Sequence, residues 1–121
     1  MSDITKGRIL YVIKNGKSFF TEIEEETGAS SATLGRYLRE LEKDGLIISV
    51  LDRSTGRARP RYKLNESRMG EINKLINAYL ESEKKEFKKN MEFVMHYIDF
   101  TDDEKKEIAE LVEKLKKKLG V

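Results

Sequence analysis

Apolar residues recur along this chain in blocks, and their spacing changes from helical to extended and back to helical. Over 4–14, Ile9, Leu10, Val12 and Ile13 make one helical stripe, which Asn15-Gly16 stops. Over 21–27, a short acidic segment predicts a second helix with Thr21 as N-cap, ended by Gly28. Only Ala29 then separates Gly28 from Ser30, whose hydroxyl suits the N-cap of a third helix over 31–44. On a helical wheel Leu34, Leu38 and Leu41 share one face of that helix, and Ala32, Gly35, Arg36, Arg39 and Lys43 share the other. Two helices joined by so tight a turn predict a helix-turn-helix.

After Gly45 the period drops to two. Residues 46–51 are rich in β-branched side chains, and 60–64 alternates, with Tyr62 and Leu64 one way and Arg61 and Lys63 the other. The turn-rich stretch 52–59 joins them into a β-hairpin with a basic tip and outer face. The only proline, Pro60, begins the return strand, where a missing N–H is tolerated. From Glu66 a long helical stripe runs through Met69, Ile72, Ile76, Leu80, Phe87, Met91, Val94 and Ile98. The charged stretch 81–86 interrupts it, as a solvated middle or a bend. Thr101-Asp102-Asp103-Glu104 reads as a capping box opening a last helix with Ile108, Leu111, Val112, Leu115 and Leu119 on its stripe. The expected fold is mainly α with a small β-hairpin wing (α+β): a winged helix-turn-helix domain over 1–65 and a helical dimerisation region over 66–121.

Composition narrows the function. The chain has 121 residues, of which 38% are charged, and no cysteine, so disulfides and thiolate metal sites are excluded. No apolar run approaches the roughly 20 residues of a membrane span, and the N-terminus lacks a signal peptide's apolar core; a cytoplasmic location is expected. Net charge is +2, but residues 1–65 carry +3 and the remainder −1. The stretch 53–63 holds Arg53, Arg57, Arg59, Arg61 and Lys63 and no acid, which points to an anionic partner at one place.

The order helix, helix, tight turn, helix, basic hairpin is the layout of a winged helix-turn-helix, and the details resemble the MarR/ArsR-like superfamily of transcriptional regulators. SSATLGRYLRELEKDGLI (30–47) looks like that group's recognition helix running into its first wing strand. DRSTGRARPRYKLNES (52–67) looks like its wing, and FTDDEKKEIAELVEKLKK (100–117) is similar to a MarR-type dimerisation helix. The resemblance implies a homodimer, assembled through the C-terminal helices, that regulates transcription, more often as a repressor.

The inference to double-stranded DNA also stands on physical grounds. An α-helix fits the major groove, with residues near its N-terminus at base edges. Arg36 suits a guanine, Ser31 a base edge or phosphate and Ala32 a thymine methyl, while Arg39 and Lys43 suit phosphates. Ser30 and Thr33 complete the helix start. The wing residues Arg53, Arg57, Arg59 and Arg61 suit the backbone or a minor groove. Gly35, inside the helix at a cost of roughly 1 kcal/mol relative to alanine, reads as clearance for the groove. The acids Glu22, Glu24, Glu25 and Glu26 would repel phosphate, so they are expected to point away. Tyr37, beside the core face, reads as packing.

The exposed cations are also what a solvated helix face contains, and a winged-helix protein-interaction module with an acidic partner is the alternative function. His96 has Glu92 and Asp99 at i−4 and i+3, but a solitary histidine flanked by acids is ordinary on a charged helix, and no metal or other cofactor is expected. With no glycine-rich phosphate loop and no nucleophile set, neither is an enzyme. Tyr79, Phe87, Phe93 and Tyr97 are expected in the core, although the resemblance permits an effector pocket there.

Overall fold

A computed structural model describes residues 2–120. Its elements are α1 (Asp3–Lys14), α2 (Phe20–Thr27), α3 (Ser31–Lys43), β1 (Ile47–Asp52), β2 (Arg59–Leu64), a 3-10 turn (Glu66–Arg68), α4 (Met69–Tyr97) and α5 (Asp102–Leu119). They divide into two compact units, one ending at Tyr79 and the other beginning at Leu80.

In the first unit the predicted stripes converge. Ile9 and Leu10 of α1, Ile23 of α2, Leu34 and Leu41 of α3, Ile47 of β1 and Ile72 of α4 are all at most 1% exposed, so one core ties every helix of this unit to the wing. Truncating any of these leucines or isoleucines to alanine costs about 2–5 kcal/mol in such a setting. The turn between α2 and α3 depends on Gly28, whose φ of +68° lets its N–H close on the Glu24 carbonyl at 2.9 Å. Ser30 caps α3 as expected, accepting the Thr33 N–H at 3.3 Å.

Several predicted boundaries move; the return strand starts at Arg59, so Pro60 is its second residue, opposite Leu51, and does not begin it. The second helix begins at Phe20 with Phe19 as N-cap, not at Thr21. The reason is Glu22, whose carboxylate accepts the Phe19 N–H at 3.2 Å and so organises the helix start one turn behind itself. Leu46 stays outside the wing because its N–H bonds the Leu41 carbonyl at 3.0 Å, completing the end of α3 before the ladder starts. The helical stripe after the wing opens with a 3-10 turn, in which the Asn65 side chain accepts the Ser67 N–H at 3.2 Å.

The wing is an antiparallel pair in the register Ile47↔Leu64 through Asp52↔Arg59. A single bridge, Phe19↔Arg61, sets the segment before α2 against the free edge of β2, with the Tyr62 N–H bonded to the Ser18 carbonyl at 2.7 Å.

The second unit is sparsely buried. α4 passes through 81–86 without a break, so that stretch is a solvated middle, and Lys84 pairs with Glu81 at 3.3 Å. The capping box of α5 forms as predicted: Thr101 N–H donates to Glu104 at 3.0 Å and Glu104 N–H to Thr101 Oγ1 at 3.2 Å. These bonds hold the Glu104 carboxyl below its usual pKa. Among the described residues of this unit only Val112 is buried, whereas Phe93, Tyr97, Ile98, Leu111 and Leu115 are exposed. Phe93 and Tyr97 are therefore not core residues, contrary to expectation; they stack on one another at 4.8 Å. Tyr79 belongs to the first unit, where its ring lies 5.8 Å from that of Tyr11.

Candidate nucleic-acid interface

The outer face of α3 is set by the leucines on its inner face. With Leu34, Leu38 and Leu41 buried, Ser31, Ala32, Arg36, Arg39 and Lys43 are all exposed. None of the three cations on this face has an ion-pair partner among the described residues. Gly35 is half-buried by its own helix, but a Cβ there would meet only the Arg39 guanidinium, at the ordinary contact distance of 3.6 Å. No packing among the described residues requires that glycine. Tyr37 is half-buried, and its hydroxyl accepts the Ser2 N–H at 3.0 Å.

The start of α3 is more crowded with hydrogen bonds than its sequence suggests. Ser30 donates its hydroxyl to Thr33 Oγ1 at 2.9 Å while capping the helix, so this pair is internally engaged. Ser31 donates to the Glu24 carboxylate across the turn. Glu24 therefore does not point away from the helix start, in contrast to Glu22, which is occupied with the Ser18 and Phe19 N–H groups. The signal for this contact is geometric: Glu24 and Ser31 are brought together by the tightness of the Gly28-Ala29-Ser30 turn.

The wing arginines divide into two kinds. Arg53 and Arg57 lie in the exposed connection and make no ion pair among the described residues. Its turn is fixed by Asp52, which accepts the Ser54 N–H at 2.8 Å and the Ser54 hydroxyl. These bonds, with Arg61 and Arg59 nearby, hold the Asp52 carboxyl below its usual pKa. Arg59 and Arg61 have a second occupation inside the chain. The Arg59 guanidinium lies 3.6 Å from the centre of the Phe19 ring, a cation–π contact, and its Nε is buried without a hydrogen-bond partner. Arg61 lies over the same ring at 5.9 Å, donates from Nε to Ser18 Oγ at 3.1 Å and pairs with Asp52 at 3.6 Å. On the opposite side of the hairpin, burial raises the Tyr62 pKa, with Glu42 adding to the effect, so the phenol is protonated at neutral pH.

The helix-turn-helix with a wing behind it settles the architecture, and comparison with known proteins agrees. Residues 3–49 match the sequence model of the bacterial regulatory protein, arsR family. This chain has the winged helix-turn-helix fold of MarR- and ArsR-type regulators. The chain is similar to a zinc-responsive MarR-family member, ZitR of Lactococcus lactis, with a TM-score of 0.59 at 23% identity, over 94% of this chain and 74% of that one. ZitR in complex with DNA matches with a TM-score of 0.56 at 22% identity, over 95% and 73% of the two chains. MarR of E. coli in its apo form matches with 0.58 at 17%, over 92% and 76%. At these identities the likeness is one of fold. No curated protein sequence matches the chain significantly. Among the described residues, no group of three or more His, Cys, Asp or Glu is placed to hold a metal ion. No helix among them is long and apolar enough to cross a membrane.

Proposed function

We propose that this protein is a sequence-specific, double-stranded-DNA-binding transcription regulator that acts as a homodimer. The observation that carries this reading is the outer face of α3: exposed Arg36, Arg39 and Lys43 on a helix fixed by a buried leucine face, none neutralised by an acid among the described residues. Arg36 reads guanine in the major groove, Ala32 meets a thymine methyl, and Arg39 and Lys43 hold phosphates. Arg53 and Arg57 carry the wing's charge to the backbone or minor groove, while Arg59 and Arg61 hold the wing in place. The wing's free arginines and the exposed face of α3 are the components that DNA-binding winged domains use together.

The helices beyond residue 65 supply the dimer. Exposed Phe93, Tyr97, Ile98, Leu111 and Leu115 are more apolar surface than a solvated helix pair needs, and a second copy covers it in a two-fold arrangement. Two recognition helices then enter successive major grooves about ten base pairs apart. Repression is the sense of regulation that the resemblance to MarR-type proteins favours. Electrophoretic mobility shift on duplexes selected from a random pool tests the DNA reading. Retardation at low salt by a species of twice the chain mass supports it, and folded protein that retards no duplex overturns it.

One observation favours a second reading. Ile48 and Val50 are each 47% exposed on the outer face of the wing, beside Arg61 and Lys63. A winged-helix module that docks an acidic protein partner uses such a surface. A partner that nonspecific duplex does not displace, together with failure to select any operator, favours that reading over the first.

A further inference from the structure

The contact between Glu24 and Ser31 has a consequence for what the start of α3 can read; the argument rests on the DNA-binding reading above. A serine hydroxyl has one proton to donate and two lone pairs that accept. An ionised carboxylate only accepts, so in this pair the proton lies on Ser31 and points at Glu24. Ser31 is exposed, and the face it turns to solvent holds lone pairs alone. Glu24 has no cationic partner among the described residues, and Glu25 and Glu26 follow it on the same helix. The side chain of the first residue of the recognition helix is thus backed by an uncompensated negative charge and offers no donor.

We propose that Glu24 and Ser31 form an acceptor-only reading pair that selects cytosine at the base beneath the start of α3. In the major groove cytosine itself offers only an amino donor, adenine an amino donor beside its own acceptor N7, and guanine and thymine acceptors. Two acceptors and a negative charge favour cytosine first, adenine second, and repel guanine and thymine. The same charge opposes phosphates, so it lowers affinity for duplex of arbitrary sequence while leaving the matched site bound through Arg36, Arg39 and Lys43. Ser31 touches the base; Glu24 sets the direction of its proton and supplies the second acceptor.

A purely structural role, in which Glu24 only staples α2 to α3, would change stability and leave base preference alone. The test is therefore binding-site selection from random duplexes with the wild type, Glu24→Gln and Ser31→Ala, each checked for folding by circular dichroism. Glutamine can still accept the Ser31 proton but adds an amide donor. We expect the wild type to enrich cytosine at one position of each half-site by roughly tenfold over guanine. Glu24→Gln should lose that preference and bind nonspecific duplex more tightly, and Ser31→Ala should weaken the preference without raising nonspecific affinity. A site selected by the wild type and kept with the same margin by Glu24→Gln overturns this inference alone. A wild type that retains no duplex overturns the DNA-binding reading and this inference with it.

Discussion

Gly7 in α1 and Gly35 in α3 both stand well inside helices, where each costs up to about 1 kcal/mol in propensity. Their surroundings are opposite. A Cβ on Gly7 would lie 2.1 Å from the Leu75 carbonyl oxygen and 2.9 Å from Tyr79 Cβ, so this glycine lets α1 press directly on the backbone of α4. A Cβ on Gly35 would find only the far end of Arg39, at 3.6 Å. The first glycine answers a neighbour inside the fold, and the second has no neighbour to answer. A half-buried backbone with no side chain over it, in the middle of the unpaired basic strip, is what close approach by a second molecule requires. One residue type, alike in sequence at both positions, thus serves two different ends.

The largest effect should come from Gly7→Ala. The clash is with backbone, which has no rotamer to move, and unfolding free energy should fall by roughly 3 kcal/mol. Chemical denaturation followed by circular dichroism measures it, and an unchanged midpoint would mean that α1 does not depend on this contact. Gly35→Glu should do the reverse: stability preserved, duplex affinity down by at least about 100-fold through bulk and charge at the groove. Mobility shift beside a melting curve reads both; normal binding would refute the clearance argument.

Arginines sharpen the same division between inward and outward service. Arg36→Ala should cost about 1–3 kcal/mol on the preferred site and relax preference at one base. Arg57→Ala should weaken all sequences alike and lower the salt slope by about one, with melting unchanged. Arg59→Ala should instead destabilise the fold by about 1 kcal/mol through loss of the contact with Phe19. If the two wing variants behave identically in melting and in salt titration, that division fails. Smallest is Gly35→Ala, which should stabilise the free protein by up to about 1 kcal/mol, seen as a modest rise in denaturation midpoint.

Local features of the fold were legible because the determinants are local. The leucine stripe of α3, the Ser30 cap, the Gly28 turn and the Thr101–Glu104 box each declare themselves within a few residues. The alternation of Tyr62 and Leu64 with Arg61 and Lys63 likewise marks β2, and the outer strip of α3 followed from the same wheel that placed its core. What escaped depends on contacts that the helical and strand periods do not encode, most of them with partners far along the chain. Gly7 is explained by Leu75, Arg59 and Arg61 by Phe19, and Ser31 by an acid across the turn. Thr21 was a reasonable cap on propensity, but Glu22 reaching back to Phe19 N–H decided otherwise. In the second unit, apolar spacing predicted stripes correctly but could not say which members a single chain would cover.

The ring of Phe19, between the guanidinium groups of β2 and the start of α2, also bears on how this wing can change over time. Apart from the Asp52–Ser54 turn and Gly56, whose φ of +82° suits glycine, the side chains of residues 53–58 make no packing contact that holds the wing, so the fold itself leaves them open to change. The strand behind them is not, since its arginines and that phenylalanine must be inherited as a set. A hairpin transplanted here from another regulator would therefore have to arrive with its own aromatic anchor, from a segment some forty positions earlier in the chain.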